Sequence, residues 1–122
     1  MTKKNSIESS RILADVVVKG MEERKGKNIV LMDLRNVKGS VTDFFVICEG
    51  DSDRQVEAIA KSVEEFVDKE LNEDPWHREG YENSEWVLLD YINVVAHVFL
   101  PEKREFYGLE ELWGDAEIKR YG

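Results

Sequence analysis

The sequence predicts a mixed α/β domain, a five-stranded sheet with helices packed on it, and three of its features carry that prediction. Segments of helical periodicity alternate with short runs of branched and aromatic residues, in the order helix, two strands, helix, three strands, helix. Turn-forming residues separate the runs where strands must reverse. The segment after the second strand is a long amphipathic helix, the common means of a right-handed crossover within one sheet.

From Ile7 to Glu23 the apolar residues Leu13, Val16, Val17 and Met21 fall at helical spacing, and Lys25-Gly26 follows as a stop. Asn28 to Leu34 (NIVLMDL) and Asp43 to Glu49 (DFFVICE) read as strands, and the VKGS between them predicts an antiparallel pair. Gly50 ends the second strand. Ser52 is placed to cap a helix, with Gln55, three residues on, able to reach back as in a capping box. The helix carries Val56, Ile59, Val63, Phe66, Val67 and Leu71 on one stripe, with Glu57, Lys61, Glu64, Glu65 and Asp68 outside it, and ends before Asn72 to Pro75.

A short strand over Trp76 to Gly80 comes next. EWVLLDY and VVAHVFL then form a hairpin about Ile92-Asn93, where Asn93 suits a left-handed conformation and Ile92 is an unfavourable turn residue. Pairing Tyr91 with Val94 puts Trp86, Leu88, Asp90, Val95, His97 and Phe99 on one face of the hairpin. The other face holds Val87, Leu89, Tyr91, Val94, Ala96 and Val98 and is the better core, which leaves the Trp86 face partly open. Pro101 opens a last helix, EKREFYGLEELWG, with Phe106, Leu109 and Trp113 on one side and Arg104, Tyr107 and Glu111 grouped on another.

The 122 residues, 42% hydrophobic and 35% charged, fit one domain over residues 1–122. Seventeen Lys and Arg against 26 Asp and Glu give a net charge of -9, which repels phosphate and disfavours direct contact with DNA or RNA. A basic protein is the better partner, since opposite charge speeds encounter. Cys48 stands alone, so neither an internal disulfide nor a cysteine-based zinc site can form, and a reducing compartment is expected. No apolar run approaches a membrane span, and MTKKNSIESS lacks the apolar stretch of a signal peptide, so a cytoplasmic location without membrane contact is expected.

Asp90 and His97 lie diagonally across the hairpin, within reach of a charge-assisted hydrogen bond. A structural contact explains such a pair somewhat better than catalysis does, because neither Cys48 nor any serine is placed beside it as a nucleophile. His77 has no ligand spacing to His97. Gly39-Ser40 with Asp43, Asp51 and Asp53 has the flavour of a nucleotidyl transferase, whose carboxylates hold a divalent metal against a triphosphate. Yet Asp51 and Asp53 flank a helix cap, where acids simply complement the helix dipole, and no Walker-type phosphate loop is present.

Three stretches in this order, VTDFFVICEGDSDRQVEAIAK, REGYENSEWVLLDY and VVAHVFLPEKREFYGLEELWGDA, resemble the ribosomal silencing factor family, also called RsfS or Iojap, over Ile7 to Ala116. The resemblance implies a fold similar to a nucleotidyltransferase core without its catalytic acids, no enzymatic activity and no cofactor. It implies a factor that binds the large ribosomal subunit through that subunit's fourteenth ribosomal protein, where the small subunit docks, and so blocks subunit joining. The family's partner-contacting tryptophan falls on Trp86, its neighbourhood on Leu88, Asp90 and His97, and the last helix contributes Tyr107, with Arg104 beside it. A nucleotidyl transferase, or a homodimer using the same aromatic face on itself, are the competing readings. The chain departs from the family in its Ile92-Asn93 turn, where a glycine is usual, and at Gly108, which costs about 1 kcal/mol if it lies within a helix.

Overall fold

The computed structural model describes residues 3–122, with side chains from residue 9 onward. Along the chain lie α1 (Lys3–Glu23), β1 (Lys27–Asp33), β2 (Phe44–Glu49), α2 (Asp53–Leu71), β3 (His77–Glu79), β4 (Trp86–Asp90), β5 (Val94–Phe99), α3 (Pro101–Tyr107), α4 (Leu109–Leu112) and β6 (Glu117–Arg120). Among the described residues the strands form one six-stranded sheet in the order β3-β4-β5-β2-β1-β6. β2 and β5 run parallel, and every other neighbouring pair is antiparallel, including β1 with β2 as expected. The mixed α/β class stands, but the sheet has one strand more than the five expected. The addition, β6, pairs with the outer edge of β1 through Val30↔Arg120 to Asp33↔Glu117.

Alternation along the strands sorts side chains between two faces. Ile29, Leu31, Phe44, Val46, Cys48, Val87, Leu89, Val94, Ala96 and Val98 join Val17 and Met21 of α1 and Val56, Ile59, Val63 and Val67 of α2 in the main core. The opposite residues, Val30, Met32, Phe45, Ile47, Val95 and Phe99, form a second cluster against Leu109, Trp113 and Ala116, with Trp86 and Leu88 at its border. β1, β2 and β5 are thus buried on both sides, whereas β4 has a covered face and a partly open one.

Ser52 caps α2 by accepting from the Gln55 N–H at 3.2 Å, while the Gln55 side chain accepts from the Asp51 N–H at 2.7 Å, one residue before the cap itself. The last helix is not continuous. Gly108 takes a left-handed φ of 55°, ends α3 by donating to the Arg104 carbonyl, and starts α4 in a new direction. The break removes Phe106 from the expected face: it is 78% exposed, and only Leu109 and Trp113 pack on the sheet.

Candidate partner-binding face

The hairpin register sets Trp86 opposite Phe99, Leu88 opposite His97 and Asp90 opposite Val95, the predicted pairing. Trp86, Leu88 and Asp90 are half-buried on the face turned away from α1 and α2. Aromatic rings lead from this face to solvent. Trp86 stacks on buried Phe99 with centroids 4.9 Å apart, meets Tyr107 of α3 at 4.6 Å, and Tyr107 lies edge-on to Phe106 at 5.1 Å. Tyr107 is 46% exposed and Phe106 beside it 78%, although helical spacing groups Phe106 with Leu109 and Trp113; no local pattern distinguishes an apolar residue on an exposed helix face from one in the core.

His97 is not on the surface, and its expected bond to Asp90 is not formed. It is 3% exposed, and its Nδ1 accepts a hydrogen bond from the Trp86 indole at 3.1 Å. The indole only donates, so Nδ1 is unprotonated and the proton of the neutral ring sits on Nε2, which is buried without a partner. Burial pushes the imidazole down to about 3. His97 therefore supports Trp86 from behind, as a neutral acceptor.

Protonation linkage makes that role measurable. Between the ordinary histidine value of about 6.5 and the folded value of about 3, the unfolded chain holds a proton that the folded chain does not, so stability rises with pH and is lost on acidification. His97→Gln keeps an acceptor and removes the titration. From pH 7.5 to 5 the wild type should lose about 2 kcal/mol more than this variant, read from urea midpoints. Equal losses would mean that the folded protein accommodates a charged His97.

Asp90 instead holds the hairpin turn, its Oδ1 accepting from the Ile92 N–H at 2.7 Å. The positive φ there belongs to Ile92, at 75°, and not to Asn93, the residue better suited to it. Arg104 is also turned inward. Its side chain is 10% exposed and donates to Glu110 at 2.8 Å, Glu49 at 3.0 Å and the Asn28 carbonyl at 2.8 Å, which fastens α3 to the ends of β1 and β2. Glu111 is exposed and apart from this network. Of the six expected contact residues, Trp86, Leu88, Asp90 and Tyr107 thus reach the surface, whereas His97 lies behind Trp86 and Arg104 fastens α3, the helix that carries Tyr107.

Beside Trp86 and Leu88 lies an open concavity of about 630 Å³, walled by His77 to Asn83. Gly80 lines it at φ 96°, and a methyl group there would lie 1.9 Å from the Trp86 carbonyl oxygen. Glu79 and Glu82 wall this concavity and are exposed, while the cations nearby are engaged, Arg78 by Glu64 at 2.7 Å and Lys103 by Glu85 at 3.5 Å. The rim is therefore acidic.

The carboxylates expected of a nucleotidyl transferase are dispersed. Asp43 accepts from the Ser10 hydroxyl at 2.8 Å, Asp51 pairs with Lys27, and Asp53 accepts from the Arg54 N–H at 2.8 Å. Among the described residues no three His, Cys, Asp or Glu side chains converge as a metal site, and no helix is long and apolar enough to cross a membrane.

Comparison with known proteins gives a consistent result. Residues 6–121 match the family described as ribosomal silencing factor during starvation. The chain is 38% identical over 108 residues to the ribosomal silencing factor RsfS of Halalkalibacterium halodurans, spanning 88% of this chain and 91% of that protein. It is also 38% identical over 74 residues to the mouse protein named mitochondrial assembly of ribosomal large subunit protein 1, covering 59% of this chain but 32% of that longer one. A crystal structure of a Chromobacterium violaceum protein superposes with a TM-score of 0.80 at 38% identity, over 85% of each chain.

Proposed function

Since the chain belongs to the ribosomal silencing factor family, we propose that it represses translation without catalysis, by occupying the large ribosomal subunit on the face where the small subunit docks. The contact runs through a basic protein of that subunit, the fourteenth in large-subunit numbering, and engages Trp86, Leu88, Asp90 and Tyr107. One observation carries this reading: Trp86 is half-buried, held from behind by His97 and Phe99, and continuous with exposed Tyr107, so a large amphipathic ring is fixed in place before any partner arrives. The acidic rim and the net charge of -9 favour a basic partner. The name of the mouse relative, which refers to assembly of the large ribosomal subunit, supports that subunit as the partner.

Sedimentation of ribosomal subunits tests the reading. The protein should travel with the large subunit and not the small one. Added in excess to separated subunits it should reduce assembled ribosomes, while ribosomes assembled beforehand keep most of their activity. Equal and immediate inhibition of both preparations would exclude steric blocking. A second copy docked on the same face is the competing occupant, and it would appear as a dimer that gives way as large subunits are added.

A further inference from the structure

Exposed apolar side chains also gather at the opposite end of β4 from the aromatic face. Trp76 is 78% exposed, Ile92 56% and Val41 86%. Hydrogen bonds tie their three segments together: the Trp76 N–H donates to the Asp90 carbonyl at 2.7 Å, Asp90 Oδ1 accepts from the Ile92 N–H at 2.7 Å, and Thr42, next to Val41, donates its hydroxyl to the Ile92 carbonyl at 2.8 Å. Ile92 is the central residue of a three-residue turn closed by the Asn93 N–H on the Tyr91 carbonyl at 3.0 Å, at φ 75°, a conformation that is strained for a branched side chain. Folding gains little from an isoleucine there, because its side chain is mostly in water and glycine would take the same backbone without strain.

The surroundings indicate what would cover this tip. Glu73 and Asp74, just before Pro75 and Trp76 in the chain, are exposed and make no ion pair among the described residues. An apolar tip with acidic neighbours repels nucleic acid and anionic lipid and suits a basic protein surface. The tip adjoins the partner-binding face at Asp90, the last residue of β4, which accepts from both the Trp76 and the Ile92 N–H, and Ile92 lies roughly 20 Å from Trp86 at strand rise.

Resting on the function proposed above, we infer that Trp76 and Ile92 form a second anchor on the same large-subunit partner, which the protein grips at both ends of β4. The test measures cosedimentation of the full chain with salt-washed large subunits, together with thermal unfolding. Trp76→Ala should weaken binding about tenfold with little change in unfolding temperature. Ile92→Gly should unfold roughly 4 °C higher, by release of strain, and yet bind several-fold more weakly. Both variants binding like the wild type while Trp86→Ala does not would overturn this inference alone. A lower unfolding temperature for Ile92→Gly would assign Ile92 to folding and overturn it too. Loss of a dimer in Trp76→Ala with subunit binding intact would make the tip a self-contact, again against the proposal. A wild type that fails to cosediment overturns both this inference and the function on which it rests.

Discussion

Gly80→Ala should destabilise the protein by about 3 kcal/mol or more, lowering its unfolding temperature by roughly 12 °C. Two costs add at this position. The added carbon would meet the Trp86 carbonyl oxygen at 1.9 Å, the Trp86 carbonyl carbon at 2.8 Å and the Val87 Cα at 3.1 Å, all backbone atoms of a paired strand that no rotamer change can move. The φ of 96° is moreover one that a residue with a side chain rarely adopts. The neighbouring turn cannot easily shift, because the Ser84 N–H donates to the Gly80 carbonyl at 2.9 Å and Ser84 is itself buried with a φ of 52°. Differential scanning calorimetry decides the matter. An unfolding temperature within about 2 °C of the wild type would show that the segment from Gly80 to Ser84 gives way and does not position Trp86.

Trp86→Ala should weaken binding to the large subunit about thirtyfold, or about 2 kcal/mol, felt mainly as faster dissociation. The substitution also leaves His97 Nδ1 without its donor and uncovers Phe99, so the variant is less stable and must be shown folded at the assay temperature. Trp86→Phe separates the two effects, since it retains a ring over Phe99 and loses only the indole donor and part of the contact area. Charge acts on a different step. With a net charge of -9 the protein is steered toward a basic surface, so added salt should slow association of wild type and variant to the same degree. Surface plasmon resonance on immobilised subunits reads both rates. A folded Trp86→Ala that dissociates like the wild type would place Trp86 outside the interface.

Much of the architecture was legible in the sequence because it is written in local periodicity. Alternation in EWVLLDY and VVAHVFL determined which side chains share a face and, with the tight turn, the register that joins Trp86 to Phe99. Ser52 announced the start of α2, and Lys25-Gly26 the end of α1. The surface positions of Trp86, Leu88 and Tyr107 followed from the same patterns, together with the resemblance of three motifs to one family. What the sequence could not express were outcomes settled between distant segments. β6 carries a single apolar residue, Ile118, in EIKR, and becomes a strand because β1 offers an unpaired edge almost ninety residues earlier in the chain. The helical pattern runs through Gly108 without interruption, yet the helix breaks there so that Leu109 and Trp113 can cover the second face of the sheet. His97 and Arg104 look like surface groups from their polarity. Only the tertiary structure decides otherwise, because burial is a property of everything packed around a residue: His97 lies beneath the Trp86 indole and loses its charge, and Arg104 finds Glu49, Glu110 and the Asn28 carbonyl, partners drawn from both sides of the chain.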